Sequence, residues 1–182
     1  MPDPFTAAAD EAESPGINNW NDLIIAEVRA SGGYAAWSSE AEFAAGRPVP
    51  PPIPGLDARL GMPLILVHNR GARTGRSRVN PLFYQSVGDN WAVFGTYGGS
   101  PSHPAWYHNL RANPRAMVEV GGERVPVVAR LAQGAERERI WAREVALVPT
   151  FAEFEKASGR QTPVLILERV REPTSDGTLP GE

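Results

Sequence analysis

Apolar residues recur along this chain with two different periods, and the switch between them marks out its parts. Trp20, Leu23, Ile24 and Val28 follow helical spacing behind Asn18 and Asn19, and Gly32-Gly33 closes the run, which predicts a helix over 19–30 with one apolar face to dock. From Pro63 onward the pattern is that of strands, at 63–68, 79–87, 90–96, 115–120, 123–131 and 163–170. Gly88-Asp89-Asn90 and Gly121-Gly122 supply turn chemistry for two hairpins. Helical spacing returns at 104–112, behind His103-Pro104, and at 134–147, where Ile140, Trp141, Val145 and Val148 form a stripe. A shorter helix is read at 150–157. Six strands with few helices predict a mainly β (α+β) domain, a small barrel that closes or covers its edges.

Three stretches carry no such period. Residues 1–17 are rich in Ala, acid and Pro and read as a mobile tail, and 171–182 read as a second tail. Residues 46–63 hold five prolines in the seven positions from Pro48 to Pro54, which forbids helix and ladder pairing and leaves a stiff connector or a lid. The folded body is therefore expected over 18–170.

Composition narrows the class. A chain of 182 residues with 42% hydrophobic content is enough for one domain with its own core. The absence of cysteine removes disulfides, Cys-ligated metals and thiol nucleophiles together. Acids in the first residues and the lack of a long apolar run argue against a signal peptide or a stable membrane insertion, so a cytoplasmic location is the expectation. Residues 1–45 hold eight acids against Arg29 alone, which leaves the body mildly basic within a net charge of −3. That balance is not the footprint of a nucleic-acid partner.

The densest candidate chemistry is Arg70-Gly71-Ala72-Arg73-Thr74-Gly75-Arg76-Ser77-Arg78, four arginines and two glycines with no acid between two strands. Such a loop aims guanidinium forks and backbone N–H groups at one phosphate or carboxylate, although a solvated basic turn has the same composition. It is not a Walker loop, because three residues instead of four separate Gly71 from Gly75 and no Lys follows. Gly95-Thr96-Tyr97-Gly98-Gly99-Ser100 follows a strand directly and serves equally as a plain turn or as a place of close approach. His103 and His108 lie five apart, the wrong spacing for one helix face, and no acid cluster accompanies them, so no metal is expected. No G-x-S-x-G element is present for a serine hydrolase.

Taken in order, R-G-A-R-T-G-R-S-R-V-N-P-L-F-Y, T-Y-G-G, H-P-A-W-Y-H-N-L-R-A-N-P, V-G-G-E and a W-A-R-E helix resemble the deazaflavin-dependent nitroreductase (quinone reductase) family over about residues 18–170. The resemblance implies a split β-barrel and coenzyme F-420, an 8-hydroxy-5-deazaflavin with a phosphate and a polyglutamate tail. It implies an oxidoreductase that passes a hydride from the reduced deazaflavin to an electrophilic acceptor, the protein supplying position, orientation and a dry face.

On that resemblance the polyanionic tail calls for Arg73 and Arg78, and the flat ring for the small Gly95, Gly98 and Gly99 and an aromatic neighbour such as Trp106. The cofactor would be lined by Ala72, Arg73 and Thr74, and by Arg78, Val79, Asn80, Pro81, Leu82 and Phe83. Phe94, Gly95, Thr96 and Tyr97 would follow, then Ala105, Trp106, Tyr107, His108 and Asn109, with Phe151 approaching from the C-terminal helices. Tyr97 and His103 are the candidate proton donors.

Where relatives carry tyrosines, this chain has Val148, Phe151 and Phe154, so the substrate pocket these imply is apolar and the acceptor a small hydrophobic enone, quinone or nitro compound. FMN is the less favoured cofactor, and a non-catalytic split-barrel protein that binds a cofactor or hydrophobic ligand is the competing class. The fold also leaves a homodimer open.

Overall fold

The computed structural model describes residues 15–35 and 62–171, so the expected tails and the proline-rich connector fall almost entirely outside the described residues. Seven strands follow one another as β1 (Tyr34–Ala35), β2 (Met62–Arg70), β3 (Ser77–Val87), β4 (Asn90–Phe94), β5 (Arg115–Val120), β6 (Glu123–Leu131) and β7 (Val164–Arg169). Four α-helices accompany them: α1 (Pro15–Ser31), α2 (Ala105–Ala112), α3 (Gly134–Leu147) and α4 (Thr150–Ser158). Strands β2-β3-β4-β7-β6-β5 form a ring that closes where β5 returns to β2 through Leu66↔Glu119, Val67↔Val118 and His68↔Met117. Every pairing is antiparallel.

Period-two alternation decides which residues fill the barrel. On β2, Ile65 and Val67 point inward to meet Leu82, Val93, Val118, Val127 and Leu165, while Leu64 and Leu66 point outward. Helix α2 supplies Trp106 and Leu110 to the inner cluster and so plugs the barrel. Outside, α1 lays Ile24, Ile25 and Val28 on Leu64 and Leu66. Helices α3 and α4 lay Ile140, Trp141 and Phe151 on Ala92, Phe94, Val164 and Ile166. Two outer layers and one plug thus bury the apolar faces that the sequence periods announce.

Most elements match the sequence expectation, and the differences have local causes. Helix α1 reaches back to Pro15, inside the segment read as tail, since proline is tolerated in a helix's first turn. Its C-terminal side is pinned by Arg29, whose guanidinium donates to both Glu119 oxygens at 2.9 and 2.7 Å. His68, expected to find an ordinary partner, places Nε2 2.6 Å from the same carboxylate. Arg29 first, and then His68, hold the Glu119 carboxyl down at about 2. Strand β1, two residues long, was not foreseen; it extends the sheet past β2 through Tyr34↔Pro63 and Ala35↔Met62. Strand β4 stops at Phe94 rather than at residue 96: the Gly95 N–H still donates across to the Pro163 carbonyl at 2.9 Å, but Pro163 has no N–H to return the bond and the ladder ends.

One buried acid sits under α3. Glu144 is 4% exposed and accepts a hydrogen bond from Gln85 Nε2 at 2.9 Å, and among the described residues no cation is bonded to it. Burial pushes its pKa up, against the weaker pull of Gln85 and Arg143. An acid whose folded pKa is raised holds its proton longer in the folded state, so its contribution is best at low pH and falls as pH rises through the ordinary carboxylate range. Glu144→Gln is therefore expected to leave the melting temperature unchanged near pH 4. At neutral pH it should raise it by a few degrees, the shift that about 1 kcal/mol brings in a domain of this length. A pH series of thermal melts on both proteins checks this; equal melting curves at pH 7.5 would contradict it.

Candidate functional site

The antiparallel ring places the ends of β2, β4 and β6 and the starts of β3, β5 and β7 at one mouth of the barrel. The three sequence motifs, scattered over some forty residues of chain, all lie there: the 71–76 loop, the 95–103 segment and α2.

The 71–76 loop is a tight turn with its side chains outside. Gly71 N–H donates to the Arg76 carbonyl and Gly75 N–H to the Gly71 carbonyl, both at 2.8 Å. Gly75 needs its positive φ of 66°, and a Cβ on Gly71 would lie 2.6 Å from Thr74 Oγ1. Residues 72 to 77 are exposed and Arg78 half-buried. Among the described residues no carboxylate pairs with Arg70, Arg73, Arg76 or Arg78. A turn that holds four guanidinium groups together with no acid to neutralise them is built to meet an anion.

A buried chain of asparagines fixes that turn to the barrel. Ala72 N–H donates to Asn109 Oδ1 at 2.9 Å; Asn109 Nδ2 donates to Asn69 Oδ1, and Asn69 Nδ2 to Asn80 Oδ1, each at 2.8 Å. Three elements, β2, β3 and α2, thereby hold one backbone atom of the loop, and all three side chains are at most 6% exposed. Asn80 and Asn109 are thus brought to the loop from the inside, and Asn69 joins them. Sequence reading missed Asn69, whose only signal is its place one residue before the arginine run.

The 95–103 segment has one 3-10 turn, Tyr97–Gly99, in which Tyr97 itself takes φ +48°. The space beside Gly95 and Gly99 is filled by protein. A Cβ on Gly95 would sit 2.7 Å from Pro163 Cγ, and one on Gly99 3.2 Å from the Ala157 Cβ of α4. Arg160, also missed, lies just past α4 and donates to carbonyls of this segment. At its far end the His103 ring leans on Tyr107, centroids 4.6 Å apart. Burial, and then the nearby Arg160 and His108 charges, push the His103 pKa down. An open cleft of about 320 Å³ lies beside His103 and Tyr107, walled by the β6–α3 link and by residues 161–164.

The remaining expected residues divide by depth. Leu82 and Trp106 lie in the inner core, Trp106 fully buried. Val79 and Phe83 face outward beneath α1. Phe94, Phe151 and Phe154 belong to an outer aromatic cluster with Val148 at its edge; the Phe151 ring lies 6.0 Å from Phe83 and 5.8 Å from Phe94. Pro81 and Thr96 are buried, Ala105 and Tyr107 half-buried, and His108 exposed. Among the described residues no group of acids and histidines has the arrangement of a metal site.

Comparison with known proteins bears on this geometry. Residues 55–169 match the family model described as F420H(2)-dependent quinone reductase. A putative F420H(2)-dependent quinone reductase of Mycobacterium tuberculosis H37Rv is 34% identical over 113 residues, covering 62% of this chain and 95% of the relative. A second quinone reductase of the same strain is 33% identical over 110 residues, covering 59% of this chain and 74% of its own. Among solved structures, an F420-H2 dependent reductase superposes with a TM-score of 0.54 at 36% identity, over 58% of this chain and 93% of the other. A protein described as a domain-swapped dimer superposes at 0.55 with 30% identity, over 85% of this chain and all of the other.

Proposed function

We propose how this chain, which belongs to the F420H(2)-dependent quinone reductase family, binds its cofactor and what it reduces. It is a reductase with a split β-barrel fold, and its cofactor is coenzyme F-420. The observation that carries the rest is the exposed, acid-free arginine turn held rigid by buried asparagines at the mouth of the barrel.

That turn fits a polyanionic cofactor tail: Arg73 and Arg78 offer guanidinium forks for phosphate and carboxylate oxygens, and the Thr74 hydroxyl a further donor. The ring would lie along the outer rim, near Phe94, Gly95, Thr96 and Tyr97 on one side and Ala105, Tyr107 and His108 on the other. Val79, Asn80, Pro81, Leu82, Trp106 and Asn109 support this surface from beneath. When bound, the reduced deazaflavin supplies a hydride; the chain's own part is to orient, to exclude water and to manage one proton. Tyr97 and His103 are the side chains proposed to supply that proton; burial and the Arg160 charge push the His103 pKa down, which depopulates the imidazolium that would donate and favours Tyr97.

A quinone-type acceptor follows from the family. The finer reading is a hydrophobic acceptor, a quinone or an enone, supported by the aromatic wall of Phe83, Phe151 and Phe154, where no hydroxyl is offered. Turnover measured across quinones, enones and small polar nitroimidazoles is expected to favour the first two by about tenfold or more in kcat/KM, the discrimination an apolar pocket gives. Preference for the polar nitro compounds would overturn it. A homodimer is the proposed assembly, supported by the dimeric structural neighbour.

A further inference from the structure

We propose that Arg160 is a positioning residue for this reaction: its guanidinium gathers the backbone of the 95–103 segment and so holds Tyr97 and His103 at the mouth of the barrel. Arg160 Nε donates to the Ser100 carbonyl at 3.1 Å, and Nη2 reaches the carbonyls of Gly95 at 3.0 Å, Thr96 at 3.3 Å and Ser102 at 2.9 Å. One side chain thus ties together four carbonyls from a stretch with almost no regular structure of its own.

The stretch needs the tie. Tyr97 sits at φ +48°, a left-handed conformation that is strained for a residue with a Cβ and persists only where the surroundings over-determine it. A planar fork of five donors suits several carbonyls at once; an ammonium offers three donors from a single point. Arg160 is itself aimed by the end of α4, where Gly159 takes φ 65° as a left-handed cap and turns the chain back toward β7. The Ser158 hydroxyl stitches the same corner, accepting from the Arg160 N–H at 3.2 Å and donating to the Glu155 carbonyl of α4 at 2.8 Å.

The second consequence is electrostatic. His103 faces Tyr107 and His108 from α2, Arg160 from the α4–β7 link, and Arg137 and Glu138 of α3 across the cleft. Burial first, and then the Arg160 charge, push the His103 pKa down. One residue, distant in sequence from both motifs, therefore sets the shape of the segment and the proton occupancy of its histidine. The proposal rests on the cofactor reading above for its effect on binding, but not for its effect on His103.

The test uses Arg160→Lys and Arg160→Gln in the full chain, with three readouts: the dissociation constant for coenzyme F-420 by fluorescence quenching, the His103 titration by proton NMR without cofactor, and the melting temperature. Arg160→Gln is expected to weaken cofactor binding by about tenfold or more, because the 95–103 segment loses the cation that gathers its carbonyls, and to move the His103 titration upward. Arg160→Lys, which restores the charge but not the fork, is expected to return the His103 titration toward that of the parent while binding stays weak.

Parental affinity in either folded variant overturns the positioning role. An unmoved His103 in Arg160→Gln overturns the electrostatic one, and a lowered melting temperature with both other readouts unchanged leaves Arg160 a merely structural residue. Should Arg160→Gln not fold, Arg160→Lys decides through affinity. Should the parent not bind coenzyme F-420, the cofactor reading fails by itself, and His103 still decides the inference.

Discussion

Replacing Arg73 or Arg78 by alanine is expected to weaken coenzyme F-420 binding by about tenfold each, and the double replacement by about a hundredfold, while the melting temperature stays within a degree or two. The size follows from the physics of the turn: a guanidinium hydrogen-bonded to a phosphate or carboxylate contributes about 1.5–3 kcal/mol, and exposure brings it to the lower end. Neither side chain is in the core, and among the described residues neither has an ionic partner whose loss would disturb the fold. Because Arg73 is exposed and Arg78 only half-buried, the effect should shrink as salt rises from 0.02 to about 0.5 M, where the Debye length falls to a few ångströms. Arg124, exposed on β6 away from the mouth, is the control and its alanine variant should bind as the parent does. Fluorescence-quenching titrations with coenzyme F-420 and, separately, with FMN make the measurement. Unchanged affinity in both variants, or FMN binding in place of the deazaflavin, would remove the arginine turn from the cofactor site.

The second large effect is on stability. Trp106 is fully buried among Ile65, Leu82, Val93 and Val118, so Trp106→Ala should cost about 3–5 kcal/mol, a substantial share of the ~5–15 kcal/mol that holds a domain together. Among the described residues its buried indole Nε1 has no hydrogen-bond partner, so Trp106→Phe removes an unsatisfied donor along with some volume and should cost far less. Urea unfolding of the two variants separates these outcomes. Coenzyme F-420 affinity in Trp106→Phe within about threefold of the parent, a change under 1 kcal/mol, is expected if the indole supports the site from beneath. A large loss of affinity in a stable Trp106→Phe would put the indole in direct contact with the ring.

The tryptophan illustrates how legibility ran along this chain. The period of the apolar residues identifies strands and helices because each element must bury one face, and this demand is local. Hence β5, β6 and α3 fall on the residues expected, and α2 and β7 within a residue or so. The motif order carried the family, because a loop that binds an anion needs arginines and glycines whatever lies around it. What the motifs did not carry is depth. Asn109 and Trp106 sit three residues apart in one motif and both turn inward, whereas Arg73 and Arg78, in another, stay outside. Composition treats all four as candidate ligand contacts; only closure of the barrel buries two of them.

By itself, then, the amino-acid sequence determined the elements, the mainly β class, the arginine turn and the family. It did so because helix period, strand alternation and turn chemistry are properties of residues near one another in the chain. The tertiary structure decided that three motifs share one mouth of the barrel, that asparagines from three elements hold Ala72, and that Glu144 is buried with Gln85 as its hydrogen-bond donor. It also decided that Arg160, some sixty residues away, binds the 95–102 carbonyls. These are long-range pairings set by strand register and helix docking, and no local period encodes which carbonyl a distant guanidinium will meet.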